Sequence, residues 1–281
     1  MPLKIGVIGG SGVYNIDALQ SPEWLTIDTP WGAPSDQILT GTLNGTAMAF
    51  LPRHGRGHVH SPTSVPYRAN IDALKRLGCT DILAVSAVGS LRLDYKPGDF
   101  VVVDQYIDRT LHRDPSYFGP GCVAHVSLAQ PTCARLGEAV TTAAAGLTLH
   151  PNATYLAIEG PQFSTLAESR LYRSWGADVI GMTGMPEARL AREAELCYAS
   201  VAMVTDYDCW HDTPVDVAQV IATLSANADK ARSLITNLTL THPDPCPCGC
   251  DRALSHALMT APDRRDPALL AKLDAVAGRV L

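Results

Sequence analysis

The sequence predicts an α/β fold, and three observations predict it. Short apolar runs alternate with longer stretches of helical periodicity along 281 residues. Several of those runs lead directly into a helical pattern, as the strands of parallel sheets do. The runs at 4–8, 47–51 and 198–205 end in GGSG, PRHGRGH and TDYD. Open α/β sheets bind ligands at the carboxyl ends of their strands.

Taken in order, the run at 4–8 opens the sheet. The runs at 38–43 and 47–51 flank Asn44-Gly45, a strong signal for an antiparallel hairpin. A helix is expected over 66–77, with Pro66 at its first turn. Strands follow at 82–86 and 100–107, then a helix at 133–145 and a strand at 154–159. Ser164 or Thr165 can cap a helix over 166–175. A strand at 178–182, a helix at 186–196 with Pro near its start, a strand at 198–205 and a helix at 215–237 complete the alternation. Near 241 the texture changes to THPDPCPCGCD, a Pro/Cys linker, followed by helical patterns at 251–260 and 267–280. The expected division is a main domain over 1–240 and a C-terminal extension over 241–281 packed on the same domain.

Composition narrows the function. Hydrophobic residues make up 46% and charged residues 18%, as in a globular protein with a sizeable core. Net charge is −6 with no offsetting basic block, which argues against nucleic acid as a partner. No apolar run reaches the ~18 residues of a membrane span. The N-terminal stretch has no secretory h-region, so a cytoplasmic location is expected. Of eight cysteines, those at 79, 122, 133, 197 and 209 stand in ordinary core-like or loop contexts and read as small buried hydrophobes. Cys246, Cys248 and Cys250 fit three readings: a zinc site completed by Cys or His from elsewhere, disulfides, or plain reduced thiols.

The chemistry lies at the strand ends. Gly9-Gly10-Ser11-Gly12 lets backbone N–H groups approach an anion, but it matches neither the dinucleotide fingerprint nor a Ser nucleophile elbow. Arg53, His54, Arg56 and His58 fall within six residues of one another, separated by glycine, and suit an oxyanion. No carboxylate or cysteine stands near them, which disfavours a metal there. Ser86-Ala87-Val88-Gly89 allows close backbone approach. Phe163 can face a flat ring, with Glu159 at the mouth of the site. Met182 can line an apolar wall and Thr183 can donate to an oxyanion. Asp206 and Asp208 stand at i and i+2 at the end of a core strand, where alternation puts both on one face. Carboxylates facing anion-binding groups suggest a substrate with a basic part and an anionic partner.

The segments IGVIGGSG, LPRHGRGH, VPYRANIDALKRLG, AVGSLR, PGDFVVVDQYIDRT, AIEGPQFSTLAESRLYRSWGADVIGMTGMPEARLARE and CYASVAMVTDYDCW occur in this order over roughly residues 4 to 240. In them the chain resembles the trimeric purine nucleoside phosphorylase family. The resemblance implies a single-domain nucleoside-phosphorylase-like fold, a mixed central β-sheet flanked by helices. It implies a homotrimer with shared active sites, no cofactor, no metal in catalysis, and inorganic phosphate as co-substrate. Ser11, Arg53, His54, Ser86, Ala87 and Thr183 would hold phosphate. Phe163, Ser164, Asp206 and Asp208 would hold the purine, with Met182 along the ribose and His58 on a loop near phosphate and sugar. His125 would come from a neighbouring subunit to the 5′ pocket, completed by Val217, Val220 and Ile221. Asp206, Asp208, Arg53 and His54 would carry the catalysis.

Family members that take 6-oxopurines place Asn at the position of Asp206, so the aspartate here implies a 6-aminopurine. The apolar 5′ pocket implies a methylthio rather than a hydroxyl substituent. Gly181 and Gly184 depart from the commoner Asn and Thr and recur in relatives that prefer methylthioinosine. That base, a broad purine nucleoside phosphorylase, a nucleosidase using water and a non-catalytic purine-binding protein are the rival readings.

Overall fold

The computed structural model describes residues 3–10, 12–211, 217–241 and 246–281, with only the backbone at Val217 and Gln219. Its strands are β1 (Lys4–Gly9), β2 (Gln20–Leu25), β3 (Ile38–Leu43), β4 (Thr46–Pro52), β5 (Asp81–Ser90), β6 (Phe100–Arg109), β7 (Leu149–Ile158), β8 (Val179–Gly181) and β9 (Cys197–Asp206). They form one mixed sheet in the order β2-β3-β4-β1-β5-β8-β7-β6-β9. β5 also pairs in parallel with β9, so β5, β8, β7, β6 and β9 close on themselves. β3 and β4 form the expected hairpin, with Asn44 and Gly45 both at positive φ.

Alternation along the strands divides the core in two. Ile8, Ile82 and Ala84 bury on one side, and Val7, Leu83 and Val85 on the other. The helices α1 (Tyr67–Arg76) and α4 (Gly184–Glu193) cover the first side through Ile71, Leu74, Ala188 and Leu190. The second is covered by α2 (Ala134–Ala143) and α5 (Val217–Thr241), through Leu136, Val140, Leu234 and Leu238. The helix α3 (Leu166–Ser174) is capped by Thr165 in a reciprocal box with Glu168. Met185 has extended φ/ψ (−121°, 138°), so the regular turns of α4 begin at Pro186, where the sequence puts them.

The structure departs from expectation in three places. β2, QSPEWL, carries a proline and a glutamate and faces solvent over most of its length. It lies at the outer edge of the sheet, where a charged, Pro-containing strand is tolerated and apolar patterning is weak. The expected helix at 251–260 is a single 3₁₀ turn, Cys250–Arg252, followed by turns. The pattern at 267–280 resolves into two short helices, α6 (Pro267–Lys272) and α7 (Asp274–Ala277). Leu273, Val276 and Ala277 bury in the same core as α1. Glu195 binds Leu254 N and the Arg279 guanidinium, tying the C-terminal segment to the end of α4. Among the described residues no helix is long and apolar enough to cross a membrane.

Candidate active site

A cavity of about 330 Å³ opens where the carboxyl ends of β1, β4, β5, β8 and β9 meet one face of α5. Of the residues singled out in the sequence, Arg53, His54, His58, Ser86, Ala87, Phe163, Ser164, Met182, Thr183, Asp206, Asp208 and Val220 line it. Ser11 lies outside the described residues, as does the Val217 side chain. His125 is exposed and does not line this cavity; its backbone N–H donates to Ala257 O in the C-terminal segment. Ile221 is 57% exposed and is not part of the lining in this chain.

The two aspartates reach the cavity differently from simple strand alternation. β9 ends at Asp206, and the β5–β9 register shifts between Val88 and Gly89, where Gly89 pairs with Asp206. Such a bulge re-aims the side chain that follows it. The chain then turns, and Asp208 sits at φ +53°, a left-handed backbone unusual for a non-glycine residue. Asp208 N donates to Asp206 Oδ1 at 2.8 Å, which locks the pair. Trp210 Nε1 donates to Ser90 O at 2.8 Å and fastens this turn to β5. A Cβ on Gly89 would lie 3.1 Å from Asp206 Oδ1 and 3.2 Å from Asp208 Cβ, so the absence of a side chain there gives the carboxylates their room. Burial raises the pKa of Asp206, against hydrogen bonds from Thr205 and Asp208 N. Burial also raises that of Asp208, with a smaller upward push from the Asp206 charge and opposition from Ser169 and the backbone of Cys209. Two neighbouring carboxyls held this way favour retention of a proton. The Ser164 hydroxyl beside them is buried and has no hydrogen-bond partner among the described residues.

Arg53 stands at the opposite end. The Arg53 guanidinium is 2% exposed and bonds both oxygens of Glu187, at 2.9 and 3.0 Å. It also donates to Val85 O and Ile8 O. Four of its five N–H groups are thereby committed. It brings positive charge to the cavity floor with one donor to spare. Tyr198 Oη donates to the same Glu187 carboxylate at 3.0 Å. Neither Glu187 nor Tyr198 is recognisable in sequence as part of a site, because each reads as an ordinary helix or strand residue. Arg56, by contrast, pairs with Asp36 and stacks over Trp24, so the basic loop contributes half of its charge elsewhere.

His54 stacks on His58 with ring centroids 4.3 Å apart, and its Nδ1 lies 2.9 Å from His60 O. Burial, then the neighbouring Arg53 charge, depress its pKa to about 4. The ring is therefore neutral near pH 7, with Nδ1–H donating and Nε2 an acceptor. The backbone N–H of Thr183, 7% exposed, donates to Tyr155 Oη 3.3 Å away. Arg113 donates to Met182 O and Met185 O, both at 2.6 Å, and holds this segment from behind.

Glu159, expected at the mouth, is instead spent on structure. Burial pushes its pKa up, but the N–H groups of Leu111 and His112, the Thr63 hydroxyl and the Arg113 charge hold it at about 2. Phe163 is 53% exposed at the rim. Val220, Leu224 and Ala228 line one wall at a helical spacing of four. The periodicity of α5 could have found Leu224 and Ala228, whereas Val13, Ile158 and Ile180 in the lining resemble any core residue.

Residues 4–239 match the phosphorylase superfamily. The chain is 67% identical to the S-methyl-5′-thioadenosine phosphorylase of Cereibacter sphaeroides, over 100% of this chain and 99% of that protein. It is 59% identical to the protein of that name from Rhodospirillum rubrum, over 99% and 97% of the two chains. Among solved structures it resembles a methylthioadenosine phosphorylase from an antarctic soil metagenomic library, with a TM-score of 0.90, 46% identity and coverage of 98% and 99%. It also resembles a Schistosoma mansoni adenosine/methylthioadenosine phosphorylase mutant in complex with methylthioadenosine, with a TM-score of 0.80, 36% identity and coverage of 86% and 93%.

Proposed function

The chain belongs to the phosphorylase superfamily, and from that premise we propose that it catalyses phosphorolysis of 5′-methylthioadenosine to adenine and 5-methylthio-α-D-ribose 1-phosphate. The observation that carries this reading is the Asp206–Asp208 pair, largely buried and raised in pKa, at one end of a cavity whose other end holds the Glu187-paired Arg53 guanidinium with one N–H to spare. Asp206, protonated, gives its proton to N7 of the departing adenine. Asp208 accepts from the 6-amino group, and the unpartnered Ser164 hydroxyl completes the base contacts. Phe163 covers the ring at the rim.

As the C1′–N9 bond breaks, the ribose becomes oxocarbenium-like. A phosphate oxygen then bonds to C1′. Arg53 supplies one N–H, and Ser86, Ala87 and Thr183 surround the anion, with Ser11 the further donor that the resemblance implies. Neutral His54 accepts the O–H of monohydrogen phosphate, and His58 stacks over it. Positioning and electrostatics do the work, with no cofactor and no covalent intermediate. Met182 lies along the ribose. A Cβ on Gly160 would fall 2.5 Å from Met182 Sδ, so this wall depends on a glycine there.

Val220 lines the end of the cavity that receives the methylthio group, where the resemblance also expects Val217 and Ile221. Full closure of this 5′ pocket requires a neighbouring subunit. The exposed Ile221 and exposed His125 support a homotrimer in which each chain donates His125 to its neighbour. A cytoplasmic site of action accords with a soluble substrate.

The test is base selectivity. Wild-type protein should favour 5′-methylthioadenosine over 5′-methylthioinosine in kcat/KM, by up to ~10⁴-fold. Asp206→Asn should shift that ratio toward methylthioinosine. An unchanged ratio in the variant would remove Asp206 from base recognition.

A further inference from the structure

Four cysteines from three separate parts of the sequence converge at one point, away from the cavity. Cys133 is the residue preceding α2, Cys197 opens β9, and Cys246 and Cys250 lie in the segment after α5. Their Sγ atoms all lie within 4.8 Å of one another. Cys133 Sγ and Cys246 Sγ are 3.5 Å apart. Four thiolates bound to one zinc ion at about 2.3 Å in a tetrahedron stand about 3.8 Å from each other. We propose that Cys133, Cys197, Cys246 and Cys250 form a structural tetrathiolate site for zinc, which fastens the C-terminal segment to the sheet.

The local chain supports this arrangement. Cys246 and Cys250 have three residues between them, within the spacing of one limb of structural zinc sites. Gly249, at φ 70°, makes the left-handed turn between them. Cys248 N–H points at Cys246 Sγ from 3.4 Å, the kind of outer contact that steadies a metal-bound thiolate. Cys248 itself is exposed and stands outside the cluster.

Charge is also provided for. Zinc with four thiolates carries a net charge of −2, since binding releases the four thiol protons. The Arg192 guanidinium acts on Cys250, and that of Arg135, which is also ion-paired with buried Asp81, lies against Cys133 and Cys197. With all four positions filled by protein, the site has no opening for catalysis. Cys197 and Asp206 lie at opposite ends of β9, roughly 30 Å apart at the usual strand rise.

The experiment is metal analysis of the protein purified under reducing conditions without added metal, with native mass spectrometry. About one zinc per chain is expected. Cys246→Ser and Cys250→Ser should lose it, and Cys248→Ser should keep it. Because a ligand variant can fail to fold, cobalt(II) is also added to reduced, chelator-stripped wild-type protein. One equivalent should give sulfur-to-metal charge-transfer absorption. Two disulfides among the four cysteines, four reactive thiols without metal, loss of zinc in Cys248→Ser, or no thiolate–cobalt absorption would each overturn the proposal.

Discussion

Glu187→Gln is the perturbation that most sharply separates a working phosphate floor from a collection of buried polar groups. The change is isosteric, so it opens no cavity. It removes the negative charge facing Arg53 in a place where the two side chains are 2% and 1% exposed. Two charge-assisted bonds, at 2.9 and 3.0 Å, lose their ionic partner, and Tyr198 Oη keeps only a neutral acceptor. An uncompensated buried charge typically costs about 3–5 kcal/mol. For a chain of this size, at about 2–4 °C per kcal/mol, the thermal midpoint should fall by roughly 6–20 °C. Inorganic phosphate should then protect the variant more than the wild type, because a bound dianion replaces the missing charge. Thermal unfolding followed by circular dichroism across a phosphate titration measures both effects. A midpoint within ~2 °C of wild type, with the same phosphate response, would refute the claim that Glu187 holds Arg53 for the anion.

Two further predictions concern the walls and the acid. Gly181→Ala would place a Cβ 2.0 Å from Tyr155 Oη and 2.6 Å from its Cζ, against a side chain that is fully buried. It should lose about 1–3 kcal/mol in denaturant unfolding, and a smaller loss would mean that Tyr155 moves freely. For Asp206, burial raises the pKa, so the proton-donating form persists to higher pH than for an exposed aspartate. Activity should fall as pH rises through that raised pKa, and Asp206→Asn should lose this limb together with about 10²–10⁴-fold in kcat/KM. A limb that survives in the variant would assign the titration to another group.

What the sequence discloses depends on whether a residue's role is local. The strands at 38–43 and 100–107 and the hairpin turn at Asn44-Gly45 were legible from patterning and turn chemistry. β2 was not, because an edge strand has no second neighbour to demand apolar alternation. Arg53 and the DYD motif stood out as charge at strand ends. Glu187 did not, because its meaning depends on Arg53, which is 134 residues away. Asp206 and Asp208 were found by the wrong geometry. They meet through a bulge and a left-handed turn, which a period-two argument does not contain. Cys133 and Cys197 read as core thiols until the fold set them beside Cys246 and Cys250.

The central claim is tested most directly by following adenine release from 5′-methylthioadenosine with and without inorganic phosphate. The account predicts release that depends on phosphate and saturates with it, with 5-methylthioribose 1-phosphate formed in equal amount. Release that proceeds without phosphate and yields the free sugar would contradict it, and the floor built on Arg53, His54 and Glu187 would need another purpose.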